Sequence, residues 1–221
     1  MNNYNKTRAI SSSRTIAVNS VLRNTFILLG FSLLTTAAST YFSIALRLPM
    51  IQPLLFLMGI MAFSFAINAY KESYVGLVLM LLYSAFLGYV LSHTVLFLLQ
   101  TPFGYKVLLD SLAGTSVIFF ALASYVLITK ENFSYMKGMI IVLAIIPISL
   151  VVISLFTQSA ILQLAISGFF ILFSSSVILY QISELVHGGE RNYIVAALSI
   201  YVSIYNIFLS LINILSLGRN D

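Results

Sequence analysis

The sequence predicts an all-α integral membrane protein of seven transmembrane helices. Three observations carry that expectation. The chain of 221 residues is 60% hydrophobic and 8% charged, its mean hydropathy is +1.04, and its apolar residues fall in long unbroken runs. A soluble domain carries about 25% charged residues, because its whole surface must satisfy water. Here 11 Lys/Arg and 6 Asp/Glu cannot coat a soluble body of this length, so a water-soluble enzyme is excluded and lipid is the expected solvent. The runs are continuously apolar and do not alternate over ten residues, which selects helices over barrel strands.

A spanning helix needs about 20 mostly apolar residues. The first run, 24–46, follows Arg23 and stops at Arg47-Leu48-Pro49. Its basic flank, the apolar Phe26–Leu34 and the small residues Thr35-Thr36-Ala37-Ala38-Ser39 imitate a cleaved signal peptide, yet apolar residues resume at Tyr41 and complete a span. Runs two, three and four cover 50–69, 74–99 and 107–129. Tyr70-Lys71-Glu72-Ser73, Thr101-Pro102-Phe103-Gly104 and Lys130-Glu131-Asn132 end them, each combining charge or a breaker with turn formers. The fifth run, 138–156, contains Pro147, which removes a backbone donor and should kink it. Thr157-Gln158-Ser159 is the weakest break, so the sixth run, 160–183, is expected to fold back tightly on the fifth. The seventh run is 193–217. Residues 1–22, rich in Ser, Asn and Thr, read as a flexible cytoplasmic tail, and 23–221 as the transmembrane domain.

Net charge is +5. In a membrane protein such an excess marks cytoplasmic loops, and no aromatic-interleaved basic face points to nucleic acid. With the N-terminus inside, Lys6, Arg8, Arg14, Arg23, Lys71, Lys130, Lys137 and Arg191 face the cytoplasm, against Arg47, Lys106 and Arg219 opposite. The tail decides the sum, and seven crossings put the C-terminus outside.

Ionisable groups inside a bilayer are functional by default, and none lies near the middle of any predicted span. Asp110, Glu184, Glu190, His93 and His187 all fall near span ends or in loops. Paired carboxylates for proteolysis and a buried proton relay are therefore missing. His93 has serine neighbours it could serve as a base, but no GxSxG-like signal accompanies it, and anchoring a helix end at the interface is the favoured reading. His93 and His187 sit near opposite faces of a layer about 30 Å thick, so they cannot share a metal. The absence of Cys removes thiolate chemistry. An enzyme is not expected, nor a cofactor.

What remains is polar and uncharged. Ser199, Ser203, Asn206, Ser210 and Asn213 are spaced 4, 3, 4 and 3 residues apart, which places all five on one stripe of the seventh helix. Two readings stand: a helix–helix seam of small, hydrogen-bonding residues, or the wall of a water-filled path. Ser167, Ser174 and Gln181 on run six recur every seven residues and are candidates to face that stripe.

These residues bear a family likeness. Asn192-Tyr193-Ile194 with the run Ala196–Leu209 resembles the last helix of the Bax-inhibitor-motif family. Gly114-Thr115, Phe119, Ser124-Tyr125, Thr129-Lys130, Phe133-Ser134 and Gly138 resemble its fourth helix and following loop, and Gly76 with Phe86-Leu87-Gly88-Tyr89 its third. The likeness runs from Val21 onward. Val21-Leu22-Arg23-Asn24-Thr25 and His187-Gly188-Gly189-Glu190 resemble a bacterial inner-membrane branch. The resemblance implies six helices around a central C-terminal one, a cytoplasmic N-terminus, and two activities. One is restraint of a membrane-anchored AAA protease of the FtsH type, with the chain as partner or slow substrate. The other is a pH-sensitive leak of calcium ions. Leak-type members carry an aspartate pair, and the matching positions here are Gln181, after Tyr180, and Ser203. Calcium prefers several oxygens including carboxylates, and a pH sensor must titrate. The substitutions therefore favour protease modulation over the leak.

Overall fold

The computed structural model describes residues 2–146, 149 and 159–218, with side chains from Val18 onward. Among the described residues every regular element is an α-helix: α1 (Asn2–Ala45), α2 (Pro53–Ala69), α3 (Tyr74–Leu99), α4 (Gly104–Thr129), α5 (Met136–Leu143), α6 (Ala160–His187) and α7 (Tyr193–Leu217). Five of these are long and apolar enough to cross a membrane: the Val18–Ala45 part of α1, and α3, α4, α6 and α7. At 17 residues, α2 is about 25 Å long, shorter than the roughly 30 Å hydrocarbon layer. The chain is a multi-pass membrane protein.

Local chemistry sets the helix ends. Ser73 accepts from the Val75 amide at 3.2 Å to start α3, and Pro53 occupies the first turn of α2, where its missing donor costs nothing. Left-handed residues close α4 (Lys130, φ 53) and α6 (Gly188, φ 72). Only at Gly188 is that conformation free of strain. It also explains why α6 runs to His187, four residues beyond the expected 183. The backbone of residues 2–22 continues the helix of the first span. Neither Pro nor Gly interrupts that stretch, and extending a helix is far easier than nucleating one. The predicted Pro147 kink and most of the predicted fifth span and its following break lie outside the described residues.

The most enclosed helix is α7. Of its most apolar stretch 61% is buried, against 17–44% for the other four spans, and it packs on α1, α2, α3, α4 and α6. Tyr201, Ile200 and Ile207 on α7, Ile178 and Ile182 on α6, and Met80 on α3 are sealed completely. The outer surface is apolar instead: Leu34, Phe65, Phe120, Ile128 and Leu172 are each more than 60% exposed. That inversion of the soluble pattern suits a lipid solvent.

Contacts sort the described loops to two ends. At one end Asn192 Nδ2 donates to the Lys71 carbonyl at 2.8 Å, the Phe133 amide donates to Ser183 Oγ at 2.8 Å, and Gly188 sits against Val18. At the other, His93 Nε2 lies 3.3 Å from the Leu48 carbonyl, and Tyr89 donates to the Pro49 carbonyl.

Candidate functional site

The five polar positions of α7 are graded in burial. Ser203 and Ser210 are buried, Ser199 and Asn206 half-buried, and Asn213 exposed. Ser203 Oγ turns back along its own helix and donates to the Ser199 carbonyl at 2.8 Å. A serine has one proton to give, so this hydroxyl has none for α6. Asn213 instead lines a cavity of about 230 Å³ with Thr101, Gln163 and Ser216 at the Leu48 end of the bundle.

On α6 the seven-residue repeat is wholly inside: Ser167, Ser174 and Gln181 are all buried, and α6 and α7 pack along their lengths. Gln181 and Ser203 thus sit on two packed helices, both 6% exposed or less. Neither side chain titrates in the physiological range. Ser174 Oγ has no hydrogen-bond partner among the described residues.

The polar junction that joins three helices was not among the expected residues. Thr36 Oγ1 on α1 is 2.9 Å from the Ser32 carbonyl and 3.1 Å from the Ser84 carbonyl on α3. A carbonyl only accepts, so Thr36 donates there. It therefore receives the proton of Tyr201 on α7, whose phenol oxygen is 2.6 Å away. Ser39 and Thr40 donate to the carbonyls of Ala85 (2.6 Å) and Gly88 (2.9 Å). Tyr205 reaches the Leu87 carbonyl at 3.3 Å. A signal was present: Ser32, Thr36 and Thr40, like Ser84, Gly88 and Ser92, recur every four residues and form small-residue stripes on two helices.

The rim at the Lys71 end is stitched as tightly. Ser183 Oγ, fully buried, accepts from Phe133 and donates to the Glu131 carbonyl at 3.1 Å. Ser134 Oγ donates to Glu184 at 2.7 Å, and Tyr125 to Glu131 at 2.7 Å. His187 Nδ1 bonds the Ser183 carbonyl at 2.8 Å, closing the end of α6. His93 stands at the far end beside Leu48. Among the described residues no three His, Cys, Asp or Glu side chains gather as metal ligands.

Known proteins resemble this chain over nearly its full length. It is 39% identical over 218 residues to an uncharacterised protein of Pseudomonas aeruginosa, covering 99% of this chain and 97% of the relative. It is 37% identical over 218 residues to the Escherichia coli K12 protein named Modulator of FtsH protease YccA, covering 97% and 99%. A membrane protein of Vibrio cholerae is 33% identical over the whole of both chains. The family described as Inhibitor of apoptosis-promoting Bax1 matches residues 18–220. With that match spanning every described transmembrane helix, the chain belongs to the Bax inhibitor family.

Proposed function

We propose that this chain is an inner-membrane protein that binds and modulates a membrane-anchored AAA protease of the FtsH type, and is itself a slow substrate of it. The observation that carries the reading is its 37% identity, across 97% of its length, to a relative named for that activity. A non-catalytic role accords with a site built of hydroxyls, amides and phenols rather than titrating pairs. In this reading the Lys71 end faces the cytoplasm. There Asn192 ties the 188–192 loop to Lys71, Ser183 and Ser134 tie the 130–135 segment to the end of α6, and Gly188 sits against Val18, where residues 2–17 leave the apolar part of α1. Those residues are polar and rich in poor helix formers. A short helix of that composition is marginal in water, so an unfoldase can grip it while the bundle resists extraction. That combination yields occupancy without rapid degradation.

The test is a chase of full-length chain and a variant lacking residues 2–17, in cells with and without the protease, alongside a second membrane substrate. The truncated chain should persist longer and relieve the second substrate's degradation less. Equal lifetimes and equal effects on the second substrate would defeat the tail-dependent reading.

The calcium-leak alternative rests on the family relationship and on the α6–α7 seam. With Gln181 and Ser203 at the paired positions, any calcium flux in liposomes should change little between about pH 6 and pH 8. Replacing both with Asp would place two carboxylates on packed helices, raising one pKa strongly. Flux should then acquire a pH dependence. A steep acid–base transition in the parent protein would overturn this account of the seam.

A further inference from the structure

One feature of the fold belongs neither to the α6–α7 seam nor to the loop rim. Helices α1 and α4 meet at the rings of Phe26 and Phe119, 6.3 Å apart, and diverge toward the Arg47 end. The gap is a groove of about 480 Å³, walled by Leu33 to Ile44 on α1 and Leu108 to Ser116 on α4, and floored by Ile204 and Phe208 of α7. Tyr41 and Leu112 on its rim are exposed, so it opens sideways into the hydrocarbon.

Its length, chemistry and charge each limit the occupant. From Leu33 to Ile44 the helix rises about 16 Å, half of a hydrocarbon layer roughly 30 Å thick. Ile44 is one residue from the end of α1, so the groove runs from the membrane interface to the midplane. Apart from the exposed Tyr41 hydroxyl on the rim, the hydroxyls of its walls are engaged within the protein. Thr36 is bonded to Ser84 and Tyr201, Thr40 to Gly88, Thr115 to Ser111, Ser116 to Leu112 and Tyr205 to Leu87. An apolar occupant is therefore called for. A spanning helix needs about 30 Å of wall, twice this length, whereas α1 and α4 close on each other at Phe26 and Phe119. A single hydrocarbon chain is the better fit.

Both walls lead to a cation at their interfacial end. Arg47 follows Ile44 by three residues on the α1 side, and Lys106 precedes Leu108 on the α4 side. Among the described residues Asp110 is the acid of this end, half-buried and one turn beyond Lys106, so Arg47 is the less compensated of the two cations.

We propose that the α1–α4 groove binds one anionic phospholipid, its acyl chain lying along α7 from interface to midplane and its headgroup held between Arg47 and Lys106. The chain has no Trp, which makes the test direct. Tyr41→Trp places a fluorophore on the groove rim. Leu57→Trp places one at a similar depth on the exposed surface of α2. Each full-length variant is reconstituted in phosphatidylethanolamine–phosphatidylglycerol vesicles in which one lipid or the other carries brominated, quenching chains. Near a membrane surface one cation is worth about 1 kcal/mol toward an anionic headgroup, or about fivefold. The Tyr41→Trp reporter should therefore favour brominated phosphatidylglycerol by about fivefold or more, while Leu57→Trp shows no preference. Arg47→Gln should remove most of the preference, and Arg47→Gln with Lys106→Gln all of it. Equal quenching by both lipids at Tyr41→Trp would overturn the proposal. So would protection from both while Leu57→Trp is quenched, because a protein segment would then cover the groove.

Discussion

Tyr201 is a fully buried phenol whose ring lies 6.2 Å from that of Tyr83 and whose hydroxyl is held by Thr36. Removing that hydroxyl leaves the ring packing intact, and Thr36 keeps its carbonyl partners. A hydrogen bond inside a membrane protein contributes about 0.6 kcal/mol on average, so Tyr201→Phe should cost about 0.5–1 kcal/mol. Gly88 is a different case. A Cβ there would run into the backbone oxygen of Thr36, which no rotamer change can relieve. Gly88→Ala must push α1 from α3 and strain the Thr40 bond, at about 1–3 kcal/mol. Unfolding of the two variants in detergent should place Gly88→Ala as the less stable. The reverse order would show that side-chain bonding, not close backbone approach, sets the α1–α3 spacing. The spacing of the small residues was legible in the sequence. The partner of Thr36 was not, because Tyr201 is 165 residues away and periodicity within a helix says nothing about which helix it meets.

At the scale of elements, the start of α7 decides how the enclosed helix is anchored. Asn192 Oδ1 accepts from the Ile194 and Val195 amides at 3.0 and 3.1 Å, while its Nδ2 holds the Lys71 carbonyl. One residue thus caps a helix and ties two loops. Asn192→Ala removes both functions and should cost about 1–2 kcal/mol. Asn192→Asp keeps the cap, with a charge suited to a helix N-terminus, and loses only the donor to Lys71. Its cost should stay below about 1 kcal/mol. Thermal unfolding of both variants checks the order, and equal losses would mean that the loop tie, rather than the cap, carries the stability. The limits of α3 and α7 were legible because polar caps abut long apolar runs. The end of α6 was misread by four residues. The charge of Glu184 ends the apolar run at 183, whereas the helix continues through it, with Ser183 and Glu184 finding partners on the 130–135 segment.

Across the whole molecule, charge counting and packing address different halves of one question. Packing assigns loops to ends: Lys71 joins Asn192, Lys130 lines a cavity with Val18 and His187, and Leu48 and Pro49 meet His93 and Tyr89. In the orientation proposed above, the excess of Lys and Arg on the Lys71 end makes that end the cytoplasmic one. The cavity and groove walls were not legible, since they depend on where helices diverge rather than on any residue's neighbours in sequence. Because the chain has no cysteine, single substitutions can test both halves in one experiment. Lys71→Cys and Arg191→Cys should resist a membrane-impermeant thiol reagent in spheroplasts and react once the membrane is opened. Met50→Cys, at a position 74% exposed, and Lys106→Cys should react without opening. If all four behave in the opposite sense, the packing stands and the orientation falls, and the cytoplasmic loop rim invoked for protease binding falls with it. If Lys71 and Arg191 part company, the packing itself is wrong, because the Asn192–Lys71 hydrogen bond requires both loops on one face of the membrane.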